Sequence, residues 1–187
     1  MVRGFAAAAV FAGAFLGAAG TARAAVSVIG DTAARQCYLA ADAQNATEAA
    51  VSVCAQALAN TGLPRRDRVA SFVNRGIVHM HRQDVAAALA DYDAAISLDP
   101  DIGDAHTNRG IALYRSEIDD RAALASLTRG IELDTNRAEV AYLIRGLVNE
   151  RLGNVRAAYA DYRQAAALAP EWPKPAEELA RFRVIEN

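Results

Sequence analysis

A short motif that recurs along the chain decides the fold. The stretches FVNRGI at Phe72–Ile77 and HTNRGI at His106–Ile111 share four residues and start 34 positions apart, and a looser copy, LIRGLV, follows at Leu143–Val148. A period near 34 residues indicates an array of repeated supersecondary units. Aligned on the Arg-Gly pairs, the array divides into three units, at residues 69–102, 103–138 and 139–172.

Each unit carries small and aromatic residues at fixed distances from its glycine. The first unit has an aromatic residue before the glycine and Ala, Tyr and Pro after it, and the third repeats this order: Phe72, Gly76, Ala88, Tyr92 and Pro100; Tyr142, Gly146, Ala158, Tyr162 and Pro170. This spacing resembles the tetratricopeptide repeat family. The second unit, with Gly110, Ala123 and Leu127, departs from it, because Thr135 stands where proline is usual and two residues are inserted.

The resemblance implies an all-α fold, a right-handed superhelical solenoid of antiparallel helix pairs. The glycines are expected where paired helices come closest, and Tyr92 and Tyr162 are expected to fill the gap to the next helix. Stacking three units buries a continuous apolar core that one unit alone cannot form. A generic helical bundle, the alternative, predicts helical periodicity without a fixed 34-residue register.

The arginine of the motif replaces the apolar residue that the family usually carries before this glycine. Asp91 follows Arg75 by 16 residues, and Asp161 follows Arg145 by the same distance. In a helical hairpin these side chains should face one another, which predicts a bidentate ion pair in each unit. The second unit has serine at the acidic position, so Arg109 is expected to reach back to Asp91. The alternative is an exposed guanidinium with a buried stem.

Residues 1–24 have the pattern of a secretory signal peptide. An uncharged, Ala-rich run at residues 4–22 follows the basic Arg3, and an A-x-A tripeptide ends at Ala24. An uncleaved membrane anchor is the alternative, since the run is about long enough to span a bilayer. Cleavage would remove two arginines and change the formal charge from −2 to −4. The sequence therefore predicts a mature chain that begins at Ala25 and lies in the periplasm.

The segment ahead of the array, residues 25–64, predicts an N-terminal helical hairpin that caps the first unit as a degenerate repeat. Its helices are expected at residues 31–42 and 46–60, with Asp31 as the first N-cap. Cys37 and Cys54 are equally distant from the turn between them, so they should face one another. Exported chains form disulfides from such pairs. Free core thiols and a redox pair are the alternatives, but a C-x-x-C motif is lacking.

The array and its cap occupy residues 65–187. After the third unit, residues 173–187 predict a terminal helix with an apolar edge at Leu179 and Phe182 and a polar outer face, as repeat arrays require for solubility. Trp172 is expected to pack at this junction.

The sequence contains no catalytic motif and predicts neither a cofactor nor a metal site. His79 and His81 are two residues apart, so on a helix they point to different faces. Phosphate loops, nucleophile elbows and H-E-x-x-H motifs are lacking. A mildly acidic chain without a basic stripe argues against nucleic acid and anionic lipid as partners.

A binding role is therefore the first hypothesis: a non-catalytic periplasmic adaptor that binds a protein or peptide in the concave groove of the solenoid. By resemblance, one helix of each unit contributes the groove positions, and these are Val73, Asn74, Ile77, His81, Thr107, Asn108, Ile111, Tyr114, Arg115, Leu147, Glu150 and Arg151. The family's carboxylate clamp is not supported, because Val73, Val140 and Ile144 replace its basic residues. The alternative function is a self-associating structural module of the cell envelope, although a monomer is favoured.

Overall fold

The computed structural model describes residue 26 and residues 32–182, and all of the secondary structure within these residues is α-helical. Four antiparallel helix pairs follow one another, and a short helix closes the array. The helices are α1 Thr32–Asp42, α2 Glu48–Ala59, α3 Arg65–His81, α4 Val85–Leu98, α5 Gly103–Arg115, α6 Asp120–Glu132, α7 Ala138–Arg151, α8 Val155–Leu168 and α9 Pro173–Leu179. The predicted all-α solenoid is confirmed. The predicted signal peptide and the N-cap at Asp31 lie outside the described residues.

Successive pairs stack so that α1, α3, α5 and α7 form one layer and α2, α4, α6 and α8 form the other. Each helix of the second layer packs against its own partner and against the first helix of the next pair. The α9 helix packs on α8, and Trp172, Leu179 and Phe182 contact the apolar cluster around Tyr162 there. The described part of the chain contains no helix that is long and apolar enough to span a membrane.

The motif glycines lie at the closest approach within each pair, as predicted, and in the first and third units the facing group is the tyrosine that was expected to fill the gap to the next helix. A Cβ atom added at Gly76 would lie 2.5 Å from the ring of Tyr92, and one at Gly146 would lie 2.5 Å from the ring of Tyr162. Both tyrosines are fully buried. Their rings therefore pack on the glycine of their own pair, because that residue leaves the space that a planar ring fills.

The arginine of the motif forms the predicted ion pair in the first and third units. Arg75 donates Nε and Nη2 to Asp91 at 2.8 and 2.7 Å, and Arg145 does the same to Asp161 at 3.0 and 2.7 Å. Both aspartates are 5% exposed, so each buried carboxylate meets a matched bidentate donor.

The prediction for the second unit was wrong. Arg109 does not reach Asp91; it donates Nε to Asp93 at 2.7 Å and Nη1 to Ser126 at 2.8 Å. Arg75 already occupies both oxygens of Asp91, whereas Asp93 lies two residues further along α4 and remains exposed. The serine at the acidic position accepts the remaining guanidinium donor.

The irregular turn between α6 and α7 is held by a side chain instead of a proline. The Asp104 carboxylate accepts the hydroxyl of Thr135 at 2.8 Å, the backbone N–H of Asn136 at 2.9 Å and the side-chain amide of Asn136 at 2.6 Å. Three hydrogen bonds to one carboxylate fix this turn against α5. Thr135, which stands where proline is usual, therefore stabilises the turn through its hydroxyl.

The N-terminal pair is cross-linked as predicted. Cys37 in α1 and Cys54 in α2 form a disulfide with their Cα atoms 4.6 Å apart, and both residues are fully buried. The neighbouring Ala34, Ala41, Ala50 and Ala57 are also buried. Small residues at this contact let the two helices approach to the separation that a disulfide needs.

Candidate functional site

The surface formed by α3, α5 and α7 on the inner layer of the array, here called the inner face, contains the predicted groove positions. The structure exposes only part of them. His81, Asn108, Ile111, Tyr114, Leu147 and Glu150 are partly buried, and Arg115 and Arg151 are exposed. The accessible part of the inner face therefore lies in the later turns of α5 and α7.

Four of the predicted groove residues are buried: Val73, Asn74, Ile77 and Thr107. Val73 is 0% exposed, Thr107 is 2% exposed and Ile77 is 3% exposed. The side chains of Val73 and Ile77 belong to the apolar core shared by α1, α3 and α4. Their helix carries the N-terminal pair on one side and α4 on the other, so these positions serve packing.

An aromatic ring and a guanidinium are stacked on the inner face where α5 and α7 end. The Cζ atom of Arg151 lies 4.4 Å from the centroid of the Tyr114 ring, and its Nη1 approaches the Tyr114 carbonyl oxygen at 3.4 Å. Nε of the same arginine donates to Asp120 at 2.9 Å. The acidic partner and the ring hold Arg151 in one position, because a planar guanidinium can stack and form hydrogen bonds at the same time.

The stack changes the interpretation of Tyr114. Its side chain contacts the apolar cluster between the second and third units as well as Arg151, and burial raises the pKa of its phenol. Tyr114 therefore packs between units and also remains partly accessible on the inner face. It stays protonated at neutral pH and can donate a hydrogen bond to a partner.

The flanks of this stack carry one acid and one base. Glu150 accepts a hydrogen bond from the Tyr162 hydroxyl at 2.9 Å and forms an ion pair with Arg181, which follows α9. These two contacts fix the position of its side chain. At the other flank, burial and the nearby Arg115 lower the pKa of His81, which favours its neutral form at neutral pH. Arg151 is paired with Asp120 and Glu150 with Arg181, so the exposed positive charge of this region comes from Arg115.

The two asparagines of the repeated motif behave differently. Nδ2 of Asn108 donates to the backbone carbonyl of Asp104 in its own helix at 2.8 Å. Asn74, at the same place in the first unit, is 0% exposed and bonds instead to the backbone of Val26. Sequence reasoning missed this contact, because the two residues are 48 positions apart and Val26 belongs to no periodic segment.

A catalytic or metal site has no support in the geometry of the described residues. His79 lies 3.4 Å from Asp84 and 3.9 Å from Asp91, and Arg75 already holds that second carboxylate. The described part of the chain has no group of three or more His, Cys, Asp or Glu side chains that could bind a metal ion.

Comparison with known proteins agrees with this architecture. Residues 140–171 match the family model of the tetratricopeptide repeat, and no curated protein matches the chain. The first tetratricopeptide domain of Spaghetti (RPAP3), solved with an HSP90 peptide, is 23% identical, with a TM-score of 0.56 over 60% of this chain and 88% of that one. Two structures of MamA give TM-scores of 0.63 and 0.62 at 20% and 17% identity, over 81% and 79% of this chain and 82% and 77% of theirs. At this identity the solved structures establish the fold alone, and the family model identifies a tetratricopeptide repeat at residues 140–171.

Proposed function

We propose that this chain is a non-catalytic adaptor of the periplasm that binds a peptide segment of another protein on the inner face. The observation that carries this proposal is the Tyr114–Arg151 stack at the C-terminal ends of α5 and α7 on that face. Tyrosine and arginine are the side chains most enriched where binding energy concentrates, and a pre-positioned pair loses little conformational entropy on binding.

The kind of partner follows from the surroundings of the stack. Ile111 and Leu147 offer partly buried apolar surface beside it, and Arg115 adds an exposed positive charge. This mixture suits an extended peptide or one face of a helix with apolar side chains and an acidic residue. The domain of RPAP3 with the same fold binds the HSP90 peptide SRMEEVD, which supports a peptide as the class of ligand here.

Replacing Tyr114 with alanine tests the proposed site. We expect Tyr114→Ala to weaken partner binding about 30-fold, which corresponds to about 2 kcal/mol for a residue that dominates an interface. The measurement is a quantitative pull-down from periplasmic extract with the wild-type and variant chains as bait, followed by titration of the captured partner.

Tyr142→Ala is the matched control, since its ring also lies under an arginine, with Arg145 5.2 Å from the centroid, but belongs to the core around α8. Both variants lose an aromatic ring and a cation–π contact, so both should melt at a lower temperature. Only Tyr114→Ala should bind the partner more weakly than its loss of stability can account for. Equal binding by the two variants would remove the inner face as the site.

Self-association is the second candidate, and exposed aliphatic side chains favour it. Ile118 and Val155 are 59% and 54% exposed; Ile118 lies in the turn between α5 and α6, and Val155 begins α8 after the turn of the next pair. Sedimentation over a range of concentrations separates the two functions, because an adaptor with an open inner face stays monomeric, whereas a self-assembling module gains mass.

The proposed location rests on the amino-terminal sequence and on the disulfide. The basic start, the apolar run and the A-x-A tripeptide are typical of exported chains, and disulfides persist in oxidising compartments such as the periplasm. N-terminal sequencing of the protein isolated from its cell should show a chain that starts at Ala25. A chain that retains Arg3 in the membrane fraction would contradict export by cleavage.

A further inference from the structure

Tyr92 and Tyr162 occupy equivalent places in the first and third units, but their hydroxyl groups differ in their partners. Each ring packs on the glycine of its own pair, and a Cβ added at Gly76 or at Gly146 would lie 2.5 Å from the nearest ring atom. Both tyrosines are buried. The Tyr162 hydroxyl donates to the Glu150 carboxylate at 2.9 Å, whereas the Tyr92 hydroxyl donates to no other residue in the described part of the chain.

A single difference in sequence accounts for the missing hydrogen bond. Glu150 follows Gly146 by four residues, and Met80 stands at the same distance from Gly76. Met80 is partly buried and packs against the apolar cluster that contains Tyr92. A thioether is only a weak acceptor, and buried hydroxyl groups normally have a partner. The first unit therefore lacks the acceptor that the third unit supplies from its own helix.

The third unit also shows which cation accompanies this carboxylate. Arg181, which follows α9, forms an ion pair with Glu150, so the carboxylate lies between a tyrosine of its own unit and an arginine of the next helical segment. Beside the first unit, the next pair contributes Arg115 at the end of α5. Arg115 is exposed and forms no ion pair with another described residue. The tyrosine and the arginine are thus both present in the first unit, and only the carboxylate is missing.

The charge of Arg115 acts on two groups of the first unit. Burial raises the pKa of the Tyr92 phenol, with Asp91 adding to this effect and Arg115 opposing it. Burial and Arg115 also lower the pKa of His81. Such effects require Arg115 to lie near both side chains. Arg75 holds both oxygens of Asp91, so this region combines a neutral phenol, a neutral imidazole and an unpaired guanidinium.

We propose that Tyr92, His81 and Arg115 form a carboxylate-binding subsite where α3 and α5 end on the inner face, and that a carboxylate of the bound partner takes the place that Glu150 takes in the third unit. This inference rests on the proposed function, since it assigns an acidic group of the peptide to one end of the inner face. The carboxylate can belong to an acidic side chain or to the end of the peptide.

The chemistry of the subsite selects a charged acceptor. The Tyr92 phenol supplies one donor and the guanidinium of Arg115 supplies parallel donors with a positive charge, which together match the two oxygens of a carboxylate. A carboxamide could accept the same hydrogen bonds but would leave the positive charge without a partner. The subsite is separate from the positions of the family's carboxylate clamp, which are the apolar Val73, Val140 and Ile144 here and lie earlier in α3 and α7.

The substitution Met80→Glu tests the subsite within the chain, because it supplies the missing carboxylate, and Met80→Gln is the matched uncharged control. Denaturant unfolding at neutral pH gives the unfolding equilibrium constant of each variant. The ratio of the constant of Met80→Gln to that of Met80→Glu should be about fivefold larger in chains that retain Arg115 than in chains that carry Arg115→Gln. This comparison cancels the effect of a new charge on the helix end. Tyr92→Phe, which keeps the ring, should also reduce the ratio. A ratio that neither substitution changes would overturn the proposal.

Binding of short peptides tests the subsite from outside. The probe is a pentapeptide with blocked ends, a central glutamate and leucine and alanine around it, and its control has glutamine at the centre. We expect the glutamate peptide to bind the wild-type chain about fivefold more tightly than the glutamine peptide. This preference should disappear in Arg115→Gln and in Met80→Glu, which fills the subsite, and should remain in Arg163→Gln, which removes an exposed arginine of α8.

A third peptide identifies the source of the carboxylate. It has glutamine at the centre and a free C-terminal carboxylate, so a preference for it that depends on Arg115 would assign the subsite to the end of a peptide. Equal binding of all three peptides to the wild-type chain would overturn the proposal.

The two kinds of measurement separate a failure of this inference from a failure of the proposed function. Unfolding of the Met80 variants involves no partner, so it reports on the subsite alone. Coupling between Met80→Glu and Arg115, together with partner binding that Tyr114→Ala leaves unchanged, would contradict only the proposed function. Partner binding that depends on Tyr114, without such coupling and without a preference for a carboxylate, would overturn only the subsite.

Discussion

Reduction of the Cys37–Cys54 disulfide is expected to lower the free energy of unfolding by about 3 kcal/mol. The bond joins residues 17 positions apart, and closing a loop of about this size in the unfolded chain accounts for a stabilisation of that order. Two further features of the N-terminal pair indicate that the disulfide contributes all of this stabilisation. Both cysteines are 0% exposed, and the helices that they join are short.

The loss should concentrate in α1 and α2 and leave the rest of the array folded. These helices have 11 and 12 residues, which is at or below the length at which isolated helices hold in water. Their contacts to the array run mainly through α3 and through Arg82, which directly follows it. Hydrogen exchange after reduction should therefore accelerate throughout α1 and α2, while amides in α5 to α8 keep their protection.

Denaturant titration with and without reductant measures the effect, and the doubly substituted Cys37→Ala/Cys54→Ala chain is the control. That chain lacks the cross-link under both conditions, so reductant should not move its midpoint. Two titratable thiols in the unreduced, unfolded wild-type protein would refute the pairing. A reduced wild type as stable as the oxidised one would refute the expected stabilisation.

The fold and the ion pairs could be predicted because both depend on spacing along the chain. A 34-residue period places helix pairs without reference to any distant residue, and a fixed 16-residue offset brings Arg75 to Asp91 and Arg145 to Asp161 within one hairpin. The disulfide follows from the same symmetry about a turn. Each of these contacts lies inside one helix pair, where sequence distance and spatial distance are linked.

Contacts between pairs were predicted less well, for a physical reason. The choice of Arg109 between Asp91 and Asp93 depends on whether the first acid is already saturated, which is a property of the neighbouring unit. The burial of Val73, Ile77 and Thr107 depends on how closely the first-layer helices stack. Spacing assigns these residues to a face of their helix and gives no information on what covers that face.

The contact between Asn74 and the backbone of Val26 could not be predicted from residue spacing. A single backbone contact over 48 residues leaves no pattern in side-chain spacing. The only signal in the sequence is the pair Asn74 and Asn108, whose amides look equivalent and have different partners. A polar residue that will be fully buried in a helix must find a partner, and that partner can come from any part of the chain.

Substitution of Gly110 should destabilise the protein, although alanine favours helices more than glycine does. In an exposed helix Gly→Ala stabilises by about 1 kcal/mol. At Gly110 the added Cβ would lie 2.6 Å from Cγ of Leu127, 3.0 Å from the backbone nitrogen of Leu127 and 3.1 Å from the backbone oxygen of Ala123. Two of these three atoms belong to the backbone of α6, which cannot rotate away.

We therefore expect Gly110→Ala to cost about 1–3 kcal/mol, the usual range for overpacking a well-filled contact, and Gly110→Leu to cost about 3 kcal/mol or more. The damage should spread, because α5 and α6 join the first unit to the third and their separation would misalign both neighbours. Thermal and denaturant unfolding of the purified variants measures the effect.

Gly62→Ala is the matched control for this prediction, since a Cβ there would meet only the Asn60 Oδ1 atom, at an ordinary 3.4 Å. This chain should unfold close to the wild type. If Gly110→Ala were as stable as Gly62→Ala, the contact between α5 and α6 would have space for a methyl group, contrary to the close approach inferred from the repeat. The argument from the Arg-Gly motif to the packing of the second unit would then fail, while the tyrosine contacts at Gly76 and Gly146 would still support the other two.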